Sequence, residues 1–110
     1  MKLSLTLCST LAMVAMAASQ DSPKHDYVPN SETAVVIAEA VLIPVYGKRH
    51  IESERPFRAT LKDGVWTVAG TLYCPDGKPQ TDEPPTCDGG VAVVLISKRD
   101  ARVISMTHYK

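Results

Sequence analysis

The chain has 110 residues, with 12 basic and 12 acidic side chains and therefore no formal net charge. This balance, without a basic stripe, argues against a nucleic-acid-binding protein, and the length allows one domain. A domain this small buries only about 60–65% of the surface that its unfolded chain exposes, so it is marginally stable without a cross-link.

The N-terminal residues have the pattern of a secretory signal peptide. Lys2 supplies a short positive region, an apolar run follows, and residues 15–17 (Ala-Met-Ala) supply the small side chains of a cleavage site. The apolar run is too short to span a bilayer comfortably, and an uncleaved anchor is the alternative. We therefore expect residues 1–17 to be removed, with cleavage near 17–19. The mature protein is then periplasmic or secreted, with no membrane insertion.

Three cysteines and three histidines define the covalent and metal chemistry that the chain offers. Cys8 leaves with the signal peptide, so Cys74 and Cys87 remain in an oxidising space and predict one disulfide. Closing a loop of this length contributes roughly 3 kcal/mol in the chain-entropy description. The histidines, which lack any metal-ligand spacing, predict no metal site, and we expect no cofactor. They are His25, His50 and His108.

A flexible leader, residues 18–30, in which Tyr27 and Val28 could pack onto the domain, precedes one predicted amphipathic helix over residues 31–46. Ser31 is a favourable N-cap and Gly47 a plausible C-cap, whereas Pro44 should kink the last turn. Apolar side chains recur at helical spacing and form a stripe for the core. The stripe consists of Ala34, Ile37, Ala38, Val41 and Val45.

A charged connector, residues 48–55, leads into a predicted β-hairpin over residues 57–74. Asp63-Gly64 is a strong signal for a two-residue hairpin turn. The pairs that this turn places opposite each other are apolar and lie on one face, whereas Arg58, Thr60 and Thr67 fall on the other. These apolar pairs are Leu61 with Trp66, Ala59 with Val68, and Phe57 with Gly70.

Two further strands complete the predicted sheet, one over residues 89–98 and one over residues 102–109. The first is a continuous apolar run and the second alternates with a period near two. One N-terminal amphipathic helix packed on a four-stranded antiparallel sheet is an α+β domain of two layers, here residues 31–110.

Five segments resemble, in order and spacing, the bacterial immunity proteins with a nuclear-transport-factor-2-like fold. The first segment is IAEA together with the VYGK that follows it, and the other four are ERPF, VWTVAGTL, GGVAVVLISK and the final HYK. The resemblance implies a curved, cystatin-like sheet around the helix and a protein that binds and neutralises a toxin of a contact-dependent or secretion-system weapon. Because this chain has a predicted signal peptide, we expect the toxin that it neutralises to act in the cell envelope.

The sequence departs from the family's pattern at the signal peptide, at the last turn and in one loop. Ala101 stands where the last turn usually has glycine, and a left-handed turn would disfavour alanine by very roughly 1 kcal/mol. The loop between the second and third strands is long, rich in proline and bracketed by Cys74 and Cys87. The second strand, by its alternation, should end at Cys74.

This bracketed loop, residues 74–88, is the candidate partner-binding surface. Its prolines stiffen it and lower the entropy lost on binding, and its acidic side chains suit a basic cleft on a toxin. The candidate residues are Asp76, Lys78, Gln80, Asp82, Glu83 and Asp88. The alternative is a solvated insertion with a stabilising disulfide. The exposed sheet face could instead be solvated, bind the toxin, or pair two copies in a homodimer.

The sequence contains no recognisable catalytic motif. The predicted core-facing positions Leu61, Trp66, Val68 and Leu72 include no acid of the kind that general acid–base chemistry needs. We interpret His108 as an edge residue and expect Arg55 to pin the connector by hydrogen bonds. The protein is therefore predicted not to be an enzyme. The alternatives to an immunity protein are a secreted inhibitor of lysozymes or proteases, and a small-ligand binding module with a cavity under Trp66.

Overall fold

The computed structural model describes residues 24–80 and 87–109. The predicted signal peptide and the loop residues Asp82 and Glu83 lie outside the described residues. The chain forms, in order, α1 (Ser31–Tyr46), α2 (Lys48–Glu52), β1 (Arg58–Lys62), β2 (Val65–Ala69), β3 (Ala92–Ser97) and β4 (Val103–His108). Within the described ranges, no helix is long and apolar enough to cross a membrane.

The four strands form one antiparallel sheet in the order β1-β2-β3-β4, so the predicted α+β class is confirmed. The hairpin register is also confirmed, because Leu61 lies opposite Trp66 and Ala59 opposite Val68. An irregularity between Leu95 and Ile96 shifts the pairing of β3 with β4, and such bulges bend a strand. Strands β1 and β4 are the edges of the sheet.

Helix α1 spans the predicted residues, but its cap and its buried stripe differ from prediction. The N-cap is Asn30 instead of Ser31, because the Asn30 side chain accepts a hydrogen bond from the Thr33 backbone nitrogen at 2.9 Å. Gly47 ends the helix with a φ of 94°, as predicted. The fully buried stripe repeats every four residues, whereas Val45 at its predicted end is 60% exposed. That stripe is Ala34, Ala38 and Leu42.

The connector, for which the sequence analysis gave no conformation, is partly helical, with α2 over Lys48–Glu52. Gly47 interrupts α1, and the chain resumes helical hydrogen bonding from the Ile51 nitrogen to the Gly47 oxygen at 3.0 Å. Burial of Ile51 fixes this short helix against the core. Residues 48–54 therefore have a fixed position relative to the core.

The alternation predicted that β2 ends at Cys74. This prediction is wrong, because the strand ends at Ala69. The backbone nitrogen of Thr71 donates to the backbone carbonyl oxygen of Glu54 at 2.7 Å. The chain therefore pairs with the connector here instead of continuing along β1. Leu61, predicted to face the core, is 45% exposed. It lies at the turn end of an edge strand, where neighbours are present on one side only.

Trp66 is the core anchor that the sequence predicts. Its ring is buried, and its indole nitrogen donates to the Val28 carbonyl oxygen at 2.9 Å. Val28 is itself fully buried, and its nitrogen donates to the Lys98 oxygen at 3.0 Å. The last residues of the segment assigned to a flexible leader are thus anchored beside the turn that follows β3.

Candidate functional site

One cluster of ionisable side chains is held between α2 and the end of β4. We call it the His–Glu cluster, and it consists of His50, Glu54 and His108. His50 and Glu54 lie four residues apart, a spacing that places side chains on one face of a helical segment. His108 is the last residue of β4 and pairs with Ala92 at the start of β3.

Glu54 is a buried acid with both carboxylate oxygens engaged. It is 6% exposed, and its Oε1 accepts a hydrogen bond from the Ala92 backbone nitrogen at 2.7 Å. The other oxygen, Oε2, lies 2.9 Å from His50 Nε2 and 3.1 Å from His108 Nε2. Glu54 is thus a buried acid that the four core-facing positions assigned from the sequence did not include.

The two histidines also contact each other. Their Nε2 atoms are 2.9 Å apart, and the ring centroids are separated by 4.9 Å. The Tyr46 ring lies 5.3 Å from the His108 ring. Because the side chain of His50 is 51% exposed and that of His108 is 20% exposed, the cluster is open to solvent on the α2 side.

Sequence reasoning missed this cluster because it treated the histidines as scattered. That interpretation is wrong for His50 and His108, which are 58 residues apart in sequence. Only the return of β4 to the connector brings them together. The His50–Glu54 spacing of four residues was the one local signal. His25, the third histidine, is exposed in the N-terminal segment and takes no part in the cluster.

Arg55 pins the connector to α1, as predicted. Its Nε and Nη2 atoms donate to the two carboxylate oxygens of Glu39 at 2.8 and 3.0 Å. This hydrogen-bonded contact with Glu39 raises the pKa of Arg55. The Tyr73 hydroxyl donates to the Arg55 carbonyl oxygen and fastens the start of the loop to the same segment.

The loop between β2 and β3 is closed by the predicted disulfide, Cys74–Cys87, with Cα atoms 5.6 Å apart. Its first half folds back on itself, because the Cys74 nitrogen donates to the Lys78 oxygen at 3.0 Å. The Asp76 side chain accepts from the Lys78 nitrogen at 2.9 Å. The first half of the loop is therefore a hydrogen-bonded turn, and the disulfide closes the loop as a whole.

The predicted partner-binding residues do not share one environment. Asp76, Lys78 and Asp88 are exposed. Gln80 is half-buried, and its Oε1 lies 3.0 Å from Cys74 Sγ, so it lines the disulfide. Asp82 and Glu83 lie outside the described ranges. The assignment of all six residues to partner binding stays a prediction.

The outer face of the sheet is a second accessible surface. Arg58 and Thr60 on β1 are exposed, and Thr60 lies directly opposite the half-buried Thr67 of β2. These residues lie on the face opposite to Trp66 and Val68, as the hairpin register requires.

Residues 33–110 match the sequence model of a family described as "NTF2 fold immunity protein". The match includes nearly all of α1, the four strands, the loop and the His–Glu cluster. The chain therefore belongs to this family, which confirms the resemblance carried by the five segments. The family's description names an immunity function.

The chain is also similar to a curated protein of Escherichia coli (strain K12), the uncharacterized protein YhhH. The two are 30% identical over 86 residues, which cover 78% of this chain and 60% of that protein. The chain thus spans about 60% of the length of the curated relative that it matches. A search of solved structures gave no match.

Proposed function

We propose that the protein is a periplasmic immunity protein that binds and neutralises a bacterial toxin acting in the cell envelope. The observation that supports a periplasmic location is the disulfide between Cys74 and Cys87. Structural disulfides persist in oxidising spaces such as the bacterial periplasm and are rare in the cytosol. The predicted signal peptide over residues 1–17 supports the same compartment.

The disulfide-closed loop, residues 74–88, is the surface that we propose for the toxin. Asp76 and Asp88 are exposed at its two ends, and Asp82 and Glu83 add negative charge between them. Hydrogen bonds order the first half of the loop, and an ordered segment loses less conformational entropy on binding than a free one. Its acidic character favours a basic surface on the toxin, which would also accelerate association.

The first test is calorimetry between the processed chain, with its disulfide intact, and the product of the adjacent gene. A dissociation constant in the nanomolar range or tighter supports the proposal. A toxin-like neighbour that does not bind would contradict it.

The role of the loop is tested by charge reversal. The variant Asp82→Lys/Glu83→Lys should bind the toxin more weakly without a change in melting temperature. Glu32→Lys/Glu52→Lys is the control, because it changes the net charge equally at positions away from the loop. Equal affinity of the wild type and the loop variant would exclude this surface and turn attention to the outer sheet face around Thr60.

A small-ligand function is less well supported. It requires a cavity under Trp66, whereas that ring is buried and hydrogen-bonded to Val28. We therefore propose a filled core, with Trp66 fluorescence that does not respond to apolar ligands. The same calorimetry against lysozymes and proteases tests the remaining alternative, a secreted inhibitor.

A further inference from the structure

We propose that His50, Glu54 and His108 bind one divalent transition-metal ion. The three atoms His50 Nε2, His108 Nε2 and Glu54 Oε2 form a nearly equilateral triangle with sides of 2.9, 2.9 and 3.1 Å. This proposal goes beyond the immunity function and does not depend on it.

Hydrogen bonds cannot account for all three sides of this triangle. Each ring nitrogen is either a donor or an acceptor at its single in-plane position, and an ionised carboxylate only accepts. If both Nε2 atoms donate to Glu54, the side between the two histidines joins two N–H groups that face each other. If one histidine accepts from the other, it cannot donate to Glu54. At most two sides are satisfied by hydrogen bonds, whereas one cation could bind all three atoms at once.

The dimensions of the triangle fit a metal ion. Imidazole and carboxylate ligands bind zinc at about 2.0–2.2 Å. At a bond length of about 2.1 Å, two neighbouring ligands of an octahedron are about 3.0 Å apart, and those of a tetrahedron about 3.4 Å. The observed sides match the octahedral value, so the three atoms resemble the face of an octahedron. Two histidines and one carboxylate on such a face are a known ligand set for divalent transition metals, with the remaining positions open.

The surroundings hold the ligands in place. The second oxygen of Glu54 accepts from the Ala92 nitrogen at 2.7 Å, an outer contact of the kind that orients metal-binding carboxylates. Glu54 is buried and His50 is half exposed, so the ion would have protein on one side and an entry path on the other. Two imidazole nitrogens favour zinc, cobalt, nickel or iron(II) over calcium and magnesium, which prefer oxygen ligands.

A bound ion would also join α2 to the end of β4. Binding to the folded chain alone stabilises it by mass action, so the melting temperature should rise when the metal is added. The ion would fasten the connector to β4, which is an edge strand of the sheet that the described residues form.

The test is a titration with cobalt(II) followed by calorimetry, with zinc calorimetry as the second measurement. The chain is purified in the processed form that a bacterial host produces, without a polyhistidine tag, and is stripped with a chelator. We expect one equivalent to bind and the melting temperature to rise. Replacing an outer-shell partner of a metal typically weakens binding roughly 10–100-fold, and loss of a direct ligand in His50→Gln should weaken it at least as much.

His25→Gln is the matched control, since it removes a histidine outside the cluster and should bind cobalt as the wild type does. Glu54→Gln is the second cluster variant, because its amide oxygen can still accept from Ala92 and so preserves the fold. It should also lose affinity. Failure of the wild type to bind one equivalent would overturn the proposal, and so would equal affinities of His50→Gln and His25→Gln.

Discussion

Glu54 Oε1 accepts a hydrogen bond from the Ala92 backbone nitrogen at 2.7 Å and so joins the connector to the first residue of β3. This contact lies inside the core, since Ala92 is fully buried and Glu54 nearly so. It buries one side chain of the charged connector, and it fixes the carboxylate that contacts both histidines.

The first prediction concerns this hydrogen bond. Glu54→Ala leaves the buried Ala92 nitrogen without its acceptor, and an unsatisfied buried donor costs about 1–3 kcal/mol. Glu54→Gln retains an acceptor and should lose less. Urea unfolding of both variants, in the presence of a chelator, compares the two free energies of unfolding. Equal losses would show that the hydrogen bond to Ala92 contributes nothing measurable.

The second prediction concerns the close approach of Glu54 to Gly70. A Cβ atom at Gly70 would lie 2.6 Å from Glu54 Oε1 and 2.9 Å from Glu54 Cβ. Gly70→Ala should therefore displace the carboxylate, and overpacking of this kind typically costs about 1–3 kcal/mol. Urea unfolding measures the loss. A variant as stable as the wild type would contradict the packing described around Glu54.

The third prediction concerns the turn between β3 and β4. Ala101 has a φ of 63°, which confirms the left-handed turn that the sequence implied. Ala101→Gly relieves the strain on Cβ, and we expect a gain of at most about 1 kcal/mol in the free energy of unfolding. Ala40→Gly, on the exposed side of α1, is the control and should lose about 1 kcal/mol. Destabilisation by Ala101→Gly would mean that the half-buried methyl group outweighs the strain.

The fourth prediction concerns acid stability. The hydrogen bond from the Arg102 backbone nitrogen, with help from the Ser97 side chain, holds the pKa of Asp100 below its ordinary value of 3.8. A lowered pKa in the folded state stabilises the fold above the ordinary pKa, and this stability is lost as the pH falls through the folded pKa. Asp100→Asn should therefore lose less stability than the wild type on acidification below pH 3.8. Denaturant unfolding at several pH values measures this, and identical pH profiles would contradict it.

The hairpin could be predicted residue by residue because its determinants are local. Asp63-Gly64 fixes a two-residue turn, and the apolar pairs then leave one register. The pairing of Leu61 with Trp66 is the result. The sequence could not show that Leu61 is exposed, since this depends on what covers the end of an edge strand.

The His–Glu cluster could not be predicted because it depends on tertiary structure. Its histidines are far apart in sequence, and Glu54 is buried between the close approach of Gly70 and the start of β3 at Ala92. The helix N-cap was missed by one residue because Asn30 and Ser31 are both good caps. The backbone conformation, with Asn30 extended at a φ of −142°, decides between them.

The most direct test of the proposed immunity function is survival of cells in which the toxin encoded beside this gene is directed to the periplasm. We expect that the chain of residues 1–110 restores growth, and that the same chain without residues 1–17 does not, because it stays in the cytoplasm away from the toxin. Equal protection by both forms would contradict the periplasmic site of action. Protection by neither, at matched protein levels, would contradict the immunity function against that toxin.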